Sequence, residues 1–157
     1  MKRTSVAHLN CSVAQTLDVV GEWWTLLVVR NLMFGQRRFE AIQGDLGIAR
    51  NILSDRLGTL VEHGIVDRVK YQDHPERFEY RLTDKGRDLF PVVAALMAWG
   101  DKWAAPLGKP IDLVHSCGHV ATPTVVCDHC GGALELRSVK ATGGPGWTRA
   151  GGDLPAT

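Results

Sequence analysis

Apolar positions recur with a helical period through most of the first hundred residues, and between Val66 and Leu82 the period shortens to that of strands. Phe39, Ile42 and Leu46 stand at i, i+3 and i+7, which predicts a short amphipathic helix in RFEAIQGDLG, punctuated by Gly44 and Gly47. Ile48 to His63 reads as a longer helix, with Ile52, Leu53, Leu57, Leu60 and Val61 on one face and Gly64 suited to a left-handed cap at its end. Val66 to Tyr71 and Phe78 to Leu82 both alternate, so Val69, Tyr71, Phe78, Tyr80 and Leu82 are expected on one side of a hairpin. Gln72, Asp73, His74, Pro75 and Glu76 supply its turn.

Helices are predicted on both flanks. Val13, Leu17 and Val20, then Trp23, Trp24, Leu27 and Val28 after Gly21, mark two of them. Downstream, Thr83 and Asp84 open a helix carrying Leu89, Val92, Val93, Leu96, Met97, Gly100 and Trp103 on one broad face, and Pro91 inside it predicts a kink or break. The apolar surface of this helix exceeds what one small hairpin can cover, so a partner surface is expected. The fold class is mainly α with a small β-hairpin wing (α+β): a winged helix-turn-helix domain over 1–105, a small β-rich, cysteine-bearing appendage over 106–140, and a flexible Gly/Pro-rich tail over 141–157.

A helix-turn-helix followed by a polar hairpin is a device for setting one helix in a DNA major groove. On the second helix Asn51, Asp55 and Gly58 lie nearly opposite the buried stripe, with Ser54 beside them, while Arg50 and Arg56 leave from the flanks. An ordinary solvated helix face has the same look. The hairpin shifts the balance, because Arg68, Lys70, Arg77 and Arg81 alternate with its apolar residues or sit near its tip beside His74, placed to touch DNA backbone or minor groove. The candidate DNA-binding set is therefore Arg50, Asn51, Ser54, Asp55, Arg56, Arg68, Lys70, His74 and Arg77.

Four stretches, CSVAQTLDVVGEWWTLLVVRNL, RRFEAIQGDLGIARNILSDRLGTLVEHGIV, YQDHPERFEYRLTDKG and LFPVVAALMAWGDKW, resemble in order and wording the HxlR-type winged helix-turn-helix regulators, relatives of the MarR type. The resemblance runs from about Cys11 to Ala105. It implies a homodimeric bacterial transcription regulator whose first and last helices form the dimer interface and whose two recognition helices read a palindromic operator. It also aligns Cys11 with a position where members of that family often carry a cysteine that senses electrophiles or oxidants. A thiol near a helix N-terminus can have a lowered pKa; the plain alternative is a small residue packed against the dimer partner.

Charge tempers this picture. The formal net charge is +1, and residues 30–87 hold 11 Lys or Arg against 9 Asp or Glu, a balance of only +2, so any electrostatic footprint must come from clustering. No apolar run has the length of a membrane span and no signal-peptide core opens the chain, which gives a cytoplasmic expectation. In such a reducing compartment four cysteines argue for metal or redox chemistry over structural disulfides.

Cys127 and Cys130 have the C-x-x-C spacing of a zinc knuckle with Gly131 closing the turn, and Cys117 lies upstream across VATPTVV, which reads as a returning strand. His119, or His115 in its place, would complete a structural Cys3His zinc site. The alternatives are reduced or bridged cysteines on a small β appendage, or a redox dithiol. An enzymatic zinc is disfavoured, since the H-x-E before P-C-x-x-C of zinc deaminases is missing and a closed four-ligand site leaves no water to activate. Trp23, Trp24, Trp99 and Trp103 are explained by core packing as well as by a pocket for a flat effector.

The function that follows is a sequence-specific DNA-binding regulator, not an enzyme, with double-stranded DNA and a second copy as partners and a redox or small-molecule effector as a further candidate. The alternative is a zinc-containing protein-interaction module that keeps the winged helix as a scaffold.

Overall fold

The computed structural model describes residues 4–147; the end of the expected tail, 148–157, lies outside the described residues. The elements are α1 (Ser12–Val20), α2 (Trp23–Met33), α3 (Phe39–Leu46), α4 (Arg50–Glu62), β1 (Val66–Gln72), β2 (Arg77–Leu82), α5 (Asp84–Arg87) and α6 (Phe90–Trp103). The residues group into two compact units that part between Phe90 and Pro91, so α6 and the cysteine-bearing segment fall in the second.

In the first unit α2 is the hub, packing against α1, α3, α4 and β2. Its Val28 and Val29 are fully buried with Ile42 of α3 and Leu53, Leu57 and Leu60 of α4. Each such side chain contributes roughly 1.5–3 kcal/mol on leaving water. Val61, expected on the same stripe, is instead exposed, and Ile52 is half-buried, because the core needs only a narrow row from α4. One polar residue is admitted. Asn31 is 2 % exposed, and its amide donates to Asp45 Oδ2 at 2.8 Å and Gln36 Oε1 at 3.0 Å, while its oxygen accepts from Arg30 Nη2 at 2.6 Å and Nε at 3.0 Å. All four hydrogen-bonding positions of the side chain are used, tying α2 to α3.

The α3–α4 turn is built by Gly47, at φ 61°, whose N–H returns to Gln43 at 2.9 Å, and by Ile48, whose side chain is buried. Helix α4 ends as its glycine predicts. Gly64 has φ 66°, its N–H bonds to the Val61 carbonyl at 3.0 Å, and the Ile65 N–H reaches the Leu60 carbonyl at 2.9 Å, a Schellman closure with Ile65 and Leu60 both buried. Thr83 ties the exit of the wing to this closure: its hydroxyl donates to the Gly64 carbonyl at 2.7 Å and accepts from the Gly86 N–H at 3.1 Å.

The wing is antiparallel, with Val66 opposite Leu82, Arg68 opposite Tyr80 and Lys70 opposite Phe78, and an irregularity between Lys70 and Gln72. Directly opposed residues share a face, so Phe78, Tyr80 and Leu82 lie with Val66, Arg68 and Lys70, not with Val69 as the alternation suggested, while Tyr71, at the irregularity, lines one groove with Phe78 and Tyr80. Burial of Val66, which is 1 % exposed, sets that parity. Arg38 adds an antiparallel bridge to Glu79, so the segment before α3 lines the outer edge of β2.

The helix after the wing is interrupted as Pro91 predicted, but upstream of it. Proline has no N–H to give the Arg87 carbonyl, so α5 closes at Arg87 and α6 starts afresh at Phe90 with Pro91 in its first turn. Within α6 Val93 and Ala94 are buried whereas Leu96, Trp99 and Trp103 are exposed; on α1, Val13 and Leu17 are exposed as well.

The appendage is not β-rich. Among the described residues after 105 there is no strand, only the isolated bridges Val114–Val120 and Val126–Ala133, and VATPTVV is irregular between them. From 106 to 140 no residue is buried.

Candidate nucleic-acid interface

The interface is built on α4, the residues before α3 and the wing. Along α4, Asn51, Ser54, Asp55 and Gly58 are all exposed and form a shallow polar strip. Its first residues have no side-chain cap, because Ala49 occupies the capping position, so the leading N–H groups of α4 are left for solvent or an anion.

Beside this strip lies a groove of about 530 Å³ between the start of α3 and the wing, whose lining includes Arg38, Arg50, Arg68 and Arg77. Three of these guanidiniums rest on aromatic rings: Arg68 over Phe78 at 3.6 Å, Arg50 over Phe39 at 4.8 Å and Arg38 over Tyr71 at 5.0 Å from the ring centroid. Such contacts contribute roughly 0.5–1 kcal/mol each at exposed sites and hold the planar cation at a defined place. Among the described residues none of the four arginines forms an ion pair, although Glu40 and Glu76 also line the groove.

Other basic residues are spoken for. Arg56 is largely covered and lies between Asp55 and Glu22, the latter at 3.8 Å. Lys70 is held by Glu76 at 2.6 Å and Asp73 at 3.6 Å, and Arg81 pairs with Glu79. His74 is exposed at the tip, before a cis proline. Of the nine residues expected to meet DNA, the structure thus gathers Arg50, Arg68 and Arg77 in the groove, sets Asn51, Ser54 and Asp55 on the helix strip, and ties Arg56 and Lys70 into ion pairs. Arg38 and the platforms Phe39, Tyr71 and Phe78 were missed. The doublet Arg37-Arg38 ahead of an aromatic was the available signal, but only the bridge to Glu79 brings Arg38 to the wing.

Residues 19–107 match the family model of the HxlR-like helix-turn-helix. The chain belongs to the HxlR-like family. This HxlR-like protein is 50% identical over 138 residues to Rv3095 of Mycobacterium tuberculosis, an uncharacterized HTH-type transcriptional regulator, with 87% of each chain covered. Its fold is similar to that of PA1607, a presumed transcription factor, at a TM-score of 0.78 and 38% identity over 88% of this chain and 99% of the other. It is also similar to the redox regulator HypR in its oxidized form, at a TM-score of 0.56 and 33% identity over 60% of this chain and 99% of that one. The HxlR-like chain is accordingly an HTH-type transcriptional regulator, and among its described residues no helix is long and apolar enough to cross a membrane.

Two further sets of residues bear chemistry. Cys11 is an exposed free thiol at the cap of α1, where its side chain makes no capping bond. In the second unit the expected zinc ligands stand in two pairs. His115 Nδ1 lies 3.2 Å from Cys117 Sγ, while His119 Nδ1 lies 3.2 Å from the Cys117 carbonyl oxygen. Cys127 is hydrogen-bonded by the backbone N–H groups of Cys130 and His129 and by the Cys130 side chain, which together hold its thiol below the ordinary thiol range. Among the described residues no three His, Cys, Asp or Glu side chains come within reach of one metal ion, so the structure leaves the two pairs apart.

Proposed function

We propose that the protein is a cytoplasmic, non-enzymatic regulator that binds a palindromic operator as a homodimer, with the polar strip of α4 in the major groove and the wing on the DNA backbone. The observation that carries this is the groove of four arginines, none ion-paired among the described residues and three of them seated on aromatic rings, beside the polar strip. Phosphate contacts of this kind position a protein, and base contacts from the strip give specificity. Asn51 and Ser54 carry the base reading; Arg50, stacked in the groove, joins Arg38, Arg68 and Arg77 on phosphates. The exposed apolar residues of α1 and α6 support a second copy as the partner that covers them. The HypR likeness supports Cys11 as an oxidant-responsive thiol.

The test is selection of bound duplexes from a random pool, followed by competition. Recovery of a palindrome whose half-sites lie about one helical turn apart, roughly 34 Å, is expected. A pool without enrichment, bound equally by the chain at physiological salt, would leave the winged helix as a protein-binding scaffold and refute the operator reading. Oxidant-treated wild type and Cys11→Ser, compared on the selected duplex, should differ in affinity only if Cys11 is the sensor.

A further inference from the structure

The segment from 106 to 140 has backbone hydrogen bonds but no buried side chains, and Val114, Val120, Val125 and Leu136 are all exposed. A segment this short cannot assemble a core of its own, and small coreless modules are held by disulfides or metals. Cys117, Cys127 and Cys130, the three cysteines of the segment, are free thiols in this structure.

Against that lack of packing, two turns are built to the same plan. In the first, the His115 N–H bonds to the His119 carbonyl at 2.9 Å, Val114 bridges Val120, and Gly118, directly after Cys117, has φ 86°. In the second, the Cys127 N–H bonds to the Gly132 carbonyl at 2.8 Å, Val126 bridges Ala133, and Gly131, directly after Cys130, has φ 72°. A left-handed residue after a cysteine folds the chain back so that two donors point the same way, and only glycine takes that conformation freely.

Each turn already brings two donors together, and in the first their separation is that of metal ligands. Zn–S and Zn–N bonds of about 2.3 and 2.0 Å place neighbouring S and N ligands of a tetrahedron roughly 3.5 Å apart. His115 Nδ1 and Cys117 Sγ, at 3.2 Å, are close to that edge. The Cys117 N–H lies 3.3 Å from the same nitrogen, which suits Nδ1 as the ring atom bearing the lone pair. His119 has its Nδ1 against a backbone carbonyl, which leaves Nε2 as its metal-binding nitrogen, and it is His115 whose ring nitrogen already stands beside a thiol. Cys127 and Cys130 form the second pair through their side-chain hydrogen bond.

We propose that these turns are the two halves of one zinc site, with Cys117, Cys127, Cys130 and His115 as its four ligands and the ion as what joins them. Three thiolates and one imidazole form a closed tetrahedral set of the structural kind. Because no three donors among the described residues lie within reach of one ion, binding is coupled to closure of the turns onto each other, with release of the protons the thiols still carry.

The experiment takes the full chain, purified under reducing conditions, incubates it with zinc chloride, removes excess metal and measures zinc by inductively coupled plasma mass spectrometry. About one zinc per chain is expected, falling at least fivefold in Cys127→Ser and His115→Asn and staying near one in His119→Asn. The helical circular dichroism of each variant checks that the winged helix is intact, so that loss of zinc is not loss of fold. Zinc in the wild type below about a tenth per chain overturns the proposal. So does full retention in Cys127→Ser, or a Cys127–Cys130 disulfide, two mass units lighter, in the reduced preparation. Loss in His119→Asn with retention in His115→Asn overturns the ligand assignment. Operator binding is measured separately, so failure of the DNA reading leaves the zinc result standing.

Discussion

The sharpest consequence of the interface concerns salt. Each phosphate neutralised by a Lys or Arg contributes about −0.9 to the slope of log K against log salt on duplex DNA. Four arginines with no ion pair among the described residues line the groove, whereas Arg56, Lys70 and Arg81 are held by carboxylates. The slope should therefore be roughly −3.6 per protomer, equal to a fall of about 600-fold in K per protomer between ~0.05 and ~0.3 M salt. Were all seven basic residues engaged, it would be roughly −6.3. The assay is fluorescence anisotropy on a labelled duplex across that salt range, with Arg38→Ala, Arg68→Ala, Arg77→Ala and Lys70→Ala. Each arginine variant should flatten the slope by about 0.9 per protomer, and Lys70→Ala by less than about 0.3. A slope near −6 per protomer, or equal flattening by Lys70→Ala and Arg77→Ala, would falsify the division between free and ion-paired cations.

Stability tests address the scaffold. Asn31→Leu keeps the volume but strips Asp45, Gln36 and Arg30 of their shared partner, and loss of bonds to charged groups should cost about 2–4 kcal/mol in urea unfolding; a change under ~0.5 kcal/mol would mean the network is idle. A Cβ on Gly86 would stand 2.2 Å from the Ile65 carbonyl oxygen, backbone that also accepts from the Thr83 N–H, so Gly86→Ala should cost ~1–3 kcal/mol and lower Tm by several degrees. An unshifted Tm would refute that packing. Trp99, 62 % exposed on α6, should matter to assembly: Trp99→Glu is expected to turn a dimer into a monomer by sedimentation velocity, and an unchanged dimer would place the interface elsewhere.

The helices were legible because their apolar period is regular and their ends carry glycines with the conformations expected of them. Gly47 and Gly64 both adopt positive φ at helix ends. The wing was legible as a hairpin but not by face. Apolar residues of β1 fall on both parities, Val66 on one and Val69 on the other, only pairing with Leu82 decides which is buried, and the irregularity at Tyr71 is not visible in the alternation. The site was half legible for a related reason. Which cations are free depends on carboxylates brought from elsewhere in the chain, as Glu22 is to Arg56, and on rings such as Tyr71 beneath Arg38, and neither follows from local spacing. In the appendage the spacing picks out four candidate ligands plus one alternative, while the preference for His115 over His119 rests on the His115 ring nitrogen standing beside Cys117 Sγ.

The seating of arginines on rings also bears on how the protein finds and leaves its sites. A chain of net charge +1 casts little long-range field, so encounter with DNA gains little from steering and association should stay in the ordinary range. The guanidiniums on Phe39, Tyr71 and Phe78 are already ordered before contact, so little side-chain freedom remains to be lost on arrival. Discrimination between operators then resides in how long the complex lasts, and differences among sites should be read in dissociation rates, with arrival times nearly alike.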